Sequence, residues 1–165
     1  MSYNRRIEEG YKKIGKKLDK DGNIMKKIYF AHPFDKWNSK REEMIEQTLS
    51  ERGYEVINPF KEEDRLNEKY GVNNYYEDPT YEFARDIVDK DYQMVKDCDE
   101  YFGWFPKDVT MIGTPLELAW AKDLGKKITV LCYKPQPFLW MYADIFYIGY
   151  DNFKNDVRFY DKEVH

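Results

Sequence analysis

Two carboxylates stand at positions where an acid calls for an explanation. Asp91 lies eight residues after Phe83 and four after Ile87, a spacing that sets it on the apolar stripe of one helix face. An unpaired charge is costly to bury, so Asp91 there needs partners or a purpose; otherwise the stripe ends early and Asp91 marks its solvated border. Glu117 sits in GlyThrProLeuGlu. Thr114 and Glu117 have the spacing of a capping box and Pro115 suits a first helical position, so a purely structural role is open to it. The same place puts its carboxylate in the first turn of a helix, near Leu116, Trp120 and Leu124, where backbone N–H groups and the helix dipole favour the ionised form. An ionised carboxylate in a sheltered cleft is what attack on an anomeric carbon requires.

Other chemistries find less support. The only histidines are His32 and His165, and the chain holds no GxSxG, HExxH, Walker or GxGxxG pattern, so serine-triad, zinc-protease, P-loop and ordinary dinucleotide readings lose their usual basis. His32 reads as a pocket wall rather than a catalyst. The two cysteines, Cys98 and Cys132, form no CxxC or Cys/His cluster, which suggests neither a disulfide framework nor a metal site and fits a reducing compartment. Carboxylate chemistry remains, and it needs no cofactor.

A chain of 165 residues with net charge −4 and both signs interspersed suits one domain and lacks the basic footprint of a polynucleotide binder. No stretch approaches the roughly 20 apolar residues of a membrane span, and MSYNRRIEEGYKK lacks the apolar core of a signal peptide. A cytoplasmic protein with a small-molecule partner is the expectation. Aromatic residues make up 18% of the chain, enough either for ordinary packing or for rings lining a pocket or an oligomer interface.

The elements that must position these residues alternate along the chain. Residues 1–26 read as a separate extension, helical from about Asn4 to Leu18, ahead of a main domain at 27–165. Strands are expected at Lys27–Ala31, Tyr54–Asn58, Glu100–Phe105 and Lys127–Cys132, with a fifth in IFYIGY. Helices are expected from Ser39, which forms a capping box with Glu42, from Asp78 and Pro79 to about Asp97, and from Pro115 to Leu124. The polar run PFKEEDRLNEKYGVNNYYED reads as a long pocket-covering loop. This alternation predicts an α/β fold, a parallel sheet of about five strands covered by helices on both faces. Ligands in such sheets bind outside the carboxyl ends of the strands. That rule gathers His32 to Phe34, Asn58 to Phe60 with Pro59 between, and the loop from Pro106 to Thr114 around one mouth.

In this order, IYFAHPF, DKDYQMVKDCD before a strand, and GTPLELAWAKDLGKKITVL resemble the nucleoside 2-deoxyribosyltransferases and the related nucleotide N-glycoside hydrolases. The likeness runs from about Lys27 to the C-terminus, where NFKNDVRFYDKEVH also looks like the close of the bacterial transferases. The resemblance implies a flavodoxin-like (Rossmann-like) sheet and a glutamate nucleophile, Glu117, that attacks C1' of a deoxynucleoside. It implies that Tyr29 orients the nucleophile, that Phe34 stacks on the base, and that Asp91 positions the sugar and assists proton transfer. A free nucleobase would then accept the sugar; where water accepts it, the enzyme is a hydrolase. A non-catalytic nucleotide-binding domain on the same fold is the reading of another class.

The departures are informative. The family often carries an aspartate two residues before the GlyThr pair of Gly113 and Thr114, and this chain has Met111 there; Asp108 takes that role only if the loop is remodelled. The loop offers Thr110 and Thr114 but no serine, and no arginine lies nearby in sequence, which favours nucleosides over nucleotides. The transferases complete their sites with a neighbouring subunit's C-terminal region, which implies a homo-oligomer, with Asp144 as the candidate for the contributed side chain.

Overall fold

The computed structural model describes residues 15–33, 39–71 and 80–164, the side chains of 62–65 excepted. Its strands are β1 (Lys26–Ala31), β2 (Tyr54–Ile57), β3 (Glu100–Phe105), β4 (Lys127–Cys132), β5 (Ile145–Ile148) and β6 (Tyr160–Asp161). Its helices are α1 (Ser39–Glu51), α2 (Phe60–Tyr70), α3 (Tyr81–Asp97), α4 (Gly113–Asp123), α5 (Pro137–Tyr142) and α6 (Tyr150–Lys154). The sheet runs β2-β1-β3-β4-β5-β6, parallel except for β6, which pairs antiparallel with β5. This is the flavodoxin-like order with one short strand added.

The strands alternate between two covered faces, as the near-continuous apolar runs predict. Tyr29, Ala31, Tyr101, Ile128, Val130 and Phe146 pack beneath Val95, Cys98, Leu118 and Ala121 of α3 and α4. Ile28, Phe30, Phe102, Trp104, Leu131 and Tyr147 face the other way, against Ile45 and Leu49 of α1 and Phe153 of α6. At Gly103 a Cβ would stand 2.7 Å from the Phe105 ring and 2.9 Å from that of Tyr101. Glycine there lets both rings close over the strand.

Four expectations need correction. The run from Pro59 onward is not a loop throughout: it opens with α2, which ends at Gly71 in the left-handed region (φ 65°). Its many Glu, Lys and Arg residues are good helix formers, and their polarity suits a solvated face. Helix α3 is capped by Thr80, whose hydroxyl accepts from Phe83 N at 3.2 Å, so it begins after the expected Asp78–Pro79 pair, which lies outside the described residues. Of the expected N-terminal helix, residues 15–18 are turn and bridge; Leu18 pairs with Ile24 around a turn in which Asp19 accepts from Asp21 N and Asn23 N. The rest of that helix lies outside the described residues. Strand β6 is the fourth difference, two residues long and too short for a periodicity signal.

Candidate active site

Strand order reverses between β1 and β3, and in a flavodoxin-like sheet the crevice at that switch point takes the ligand. A cleft of about 640 Å³ lies there. His32 and Pro33 line it after β1, Pro59 and Phe60 at the start of α2, Ile87, Val88 and Asp91 from α3, and Thr110 to Thr114 with Leu116, Glu117 and Trp120 from the loop and first turns of α4.

Glu117 is buried, 7% exposed, and the Tyr29 hydroxyl donates to its Oε1 at 3.0 Å. The capping-box reading does not survive: α4 is capped at Ile112 with no side-chain cap bond, and Thr114 lies within the helix. Tyr101 stacks beside Tyr29, ring centroids 6.1 Å apart, and its hydroxyl donates to Thr114 O at 3.0 Å. Burial, with the Glu117 carboxylate adding to it, raises both phenols well above their ordinary range. Both tyrosines therefore stay protonated donors, which is the form that orients a carboxylate.

Asp91 reaches the same cleft from α3 and resolves the helix-face puzzle: its side chain is 13% exposed among Phe83, Ile87 and Val95, which are buried. Burial raises its carboxyl above the ordinary value, and the adjacent Lys90 ammonium opposes the rise. Lys90 Nζ lies 3.1 Å from Oδ1, and the two form a close, largely shielded ion pair. A carboxyl whose proton is retained more strongly than usual is suited to proton exchange with a bound molecule.

His32 forms part of the wall. Its Nδ1 is 3.1 Å from Pro33 O and its Nε2 is 3.1 Å from Asn58 Oδ1, and its ring packs between Phe30 and Phe60. Asn58 continues the network by donating to Glu42 at 2.9 Å.

Gly113, Thr114, Met111 and Pro59 line the cleft. Asp108 does not. It adopts the left-handed conformation (φ 60°) at the tip of the loop with its side chain 83% exposed beside Lys107, a turn position that Asp tolerates, and the cleft wall is taken by Met111 instead. Asp144 stands at the amino ends of β4 and β5, away from this chain's own cleft, where it accepts from Ile128 N at 2.8 Å and pairs with Lys162. Phe34 lies outside the described residues. Phe60, gathered at the mouth with Asn58 and Pro59, lines the cleft at the start of α2. Lys90 was missed, because a lysine next to a buried acid leaves no periodic trace.

Cys98 and Cys132 are buried, and burial pushes the Cys98 thiol up to about 12, so neither offers a thiolate. Among the described residues no group of three or more His, Cys, Asp or Glu side chains is placed to hold a metal, and no helix is long and apolar enough to cross a membrane.

Fold and cleft together define a flavodoxin-like α/β domain with two carboxylates and a tyrosine at the switch point of its sheet. No protein-family model and no curated protein matches the chain. Among solved structures it is similar to the 2-deoxyribosyltransferase of the psychrotolerant bacterium Bacillus psychrosaccharolyticus, with a TM-score of 0.62 and 22% identity over 84% of this chain and 94% of that one. It is also similar to the CMP N-glycosidase of Clostridium botulinum, with a TM-score of 0.52 and 21% identity over 80% and 98% of the two chains. At these identities the likeness establishes a shared fold.

Proposed function

We propose that this chain cleaves the N-glycosidic bond of 2'-deoxynucleosides and passes the sugar to a second nucleobase through a covalent intermediate on Glu117. The observation that carries the reading is the buried Glu117 carboxylate aimed by the Tyr29 hydroxyl into a cleft it shares with Asp91. In the first step the C1'–N bond breaks, its electron pair leaves with the base, and a Glu117 oxygen bonds to C1'. Asp91 in its protonated form supplies the proton the departing base takes up. In the second step a nitrogen of the incoming base attacks C1' from the face the first base left, returns its proton to Asp91, and frees Glu117. Two displacements retain the anomeric configuration. The scheme calls on no metal and no organic cofactor.

The similarity to a solved 2-deoxyribosyltransferase along 84% of the chain supports the sugar chemistry. The lining of the cleft supports a nucleoside over a nucleotide, because among its described residues there is no Lys or Arg to meet a 5'-phosphate. The homo-oligomer belongs to the same reading: α5 buries none of its residues and leaves Phe138 85% and Met141 78% exposed, an apolar face for a second copy.

The second reading is hydrolysis, supported by the similarity to a solved N-glycosidase. Deoxyadenosine incubated with and without a second base separates the two. A new deoxynucleoside marks transfer, free deoxyribose marks hydrolysis, and neither product refutes both. Glu117→Ala is expected to abolish turnover, and full turnover in that variant would overturn the assignment. Acid-quenched mass spectrometry should find a deoxyribosyl adduct on the peptide containing Glu117.

A further inference from the structure

We infer that Lys90 is a positioning residue that keeps the Asp91 proton exchangeable and ties the acid-bearing helix to the mouth of the cleft. The inference rests on the reading of Asp91 as the acid of the site, and it assigns a role to a side chain that does not line the cleft.

The geometry carries it. Lys90 and Asp91 are consecutive on α3, so their Cα–Cβ bonds diverge by about 100°, yet the lysine side chain turns back to bring Nζ within 3.1 Å of Oδ1. The pair is largely shielded, with side chains 17% and 13% exposed. The same Nζ donates to Pro59 O at 3.0 Å, the carbonyl at the entry to α2. One ammonium thus joins two walls of the cleft and stands on an oxygen of Asp91.

The other titratable groups about Asp91 supply no such charge. Tyr29 on β1 is a neutral phenol, Glu117 on α4 is a second carboxyl, and His32 at the end of β1 is turned to Pro33 O and Asn58. Among the described residues facing Asp91, Lys90 is the cation. Burial favours the protonated form of Asp91, and the Lys90 ammonium opposes it. A nearby positive charge restores acidity, and an acid serves best when its pKa lies near the working pH.

The test is a titration of Asp91 without substrate, by carbon NMR of protein carrying labelled aspartate, its signal identified by loss in Asp91→Asn. Lys90→Met keeps the stem and removes the charge; its Asp91 should titrate about one pH unit higher than in the wild type. Lys90→Arg should restore the wild-type value, and the basic limb of the kcat/KM profile should move with the titration. An unchanged titration in Lys90→Met overturns the inference, as does failure of Lys90→Arg to restore it. A shifted titration in a protein whose wild type cleaves no deoxynucleoside upholds Lys90 and refutes the proposed function instead.

Discussion

At the scale of the residue, the proposed mechanism divides its labour between two carboxyl groups held differently. Glu117 is fixed by a phenol that stays protonated, so Tyr29→Phe removes the donor without creating a large cavity. A hydrogen bond to a charged group is worth about 1.5–3 kcal/mol, and a loss of roughly 10- to 100-fold in kcat is expected in steady-state assays. In the proposed mechanism Asp91 acts when protonated, so kcat/KM should fall as pH rises through its elevated pKa. Asp91→Asn should abolish that limb along with most of the rate. The same burial has a cost in stability. A carboxyl whose folded pKa is raised binds more protons folded than unfolded, so its contribution weakens from about pH 4, the unfolded value, up to the folded pKa. The Tm of Asp91→Asn relative to wild type should therefore be more favourable at pH 7 than at pH 4, measured by calorimetry. Both acids were legible in the sequence, Asp91 as a carboxylate on an apolar stripe and Glu117 from its place in GTPLE. The capping-box role open to Glu117 was set aside only once Ile112 was seen to cap the helix. Lys90 was not legible, because its role depends on a side chain bending back along its own helix.

At the scale of the element, α3 is the least replaceable part, since it carries Asp91, Lys90 and the apolar wall of Ile87 and Val88. Its start is set by Thr80, and loss of an N-cap costs about 1 kcal/mol. Thr80→Ala should lower denaturant stability by that amount while leaving the pH profile in place. Helix α3 is also held from outside, by Lys69 and Tyr70 of α2 bonding Asp86. Strands β1, β3 and β4 were read from sequence to within a residue because each is an apolar run bounded by Gly, Pro or charge. Helix α2 was not, because a polar helix with few apolar residues has the composition of a loop. Phe60, at the start of that helix, was still gathered at the mouth by the strand-end rule, and its ring packs on His32 at the cleft wall.

At the scale of the whole molecule, the sheet order alone located the crevice, and the sequence-level rule about carboxyl ends of strands named most of its rim. It erred where a loop set direction: Asp108 turns outward to serve its own turn. The centre of the sheet is sensitive at Gly103, and Gly103→Ala forces the Tyr101 and Phe105 rings apart. Overpacking of this kind costs about 1–3 kcal/mol, and the displaced Tyr101 should lower turnover as well as Tm. If the α5 face joins two copies, Phe138→Asp should shift sedimentation toward the monomer. Two neighbouring strands each send a phenol to α4, one to the Glu117 side chain and the other to the Thr114 carbonyl. The bearing of the Glu117 carboxylate is thereby set by the spacing between adjacent strands, about 4.8 Å, as a part is trued by two pins. In the proposed mechanism Glu117 then stands in its working attitude before any nucleoside arrives, and induced movement is left to the groups that admit and release the base.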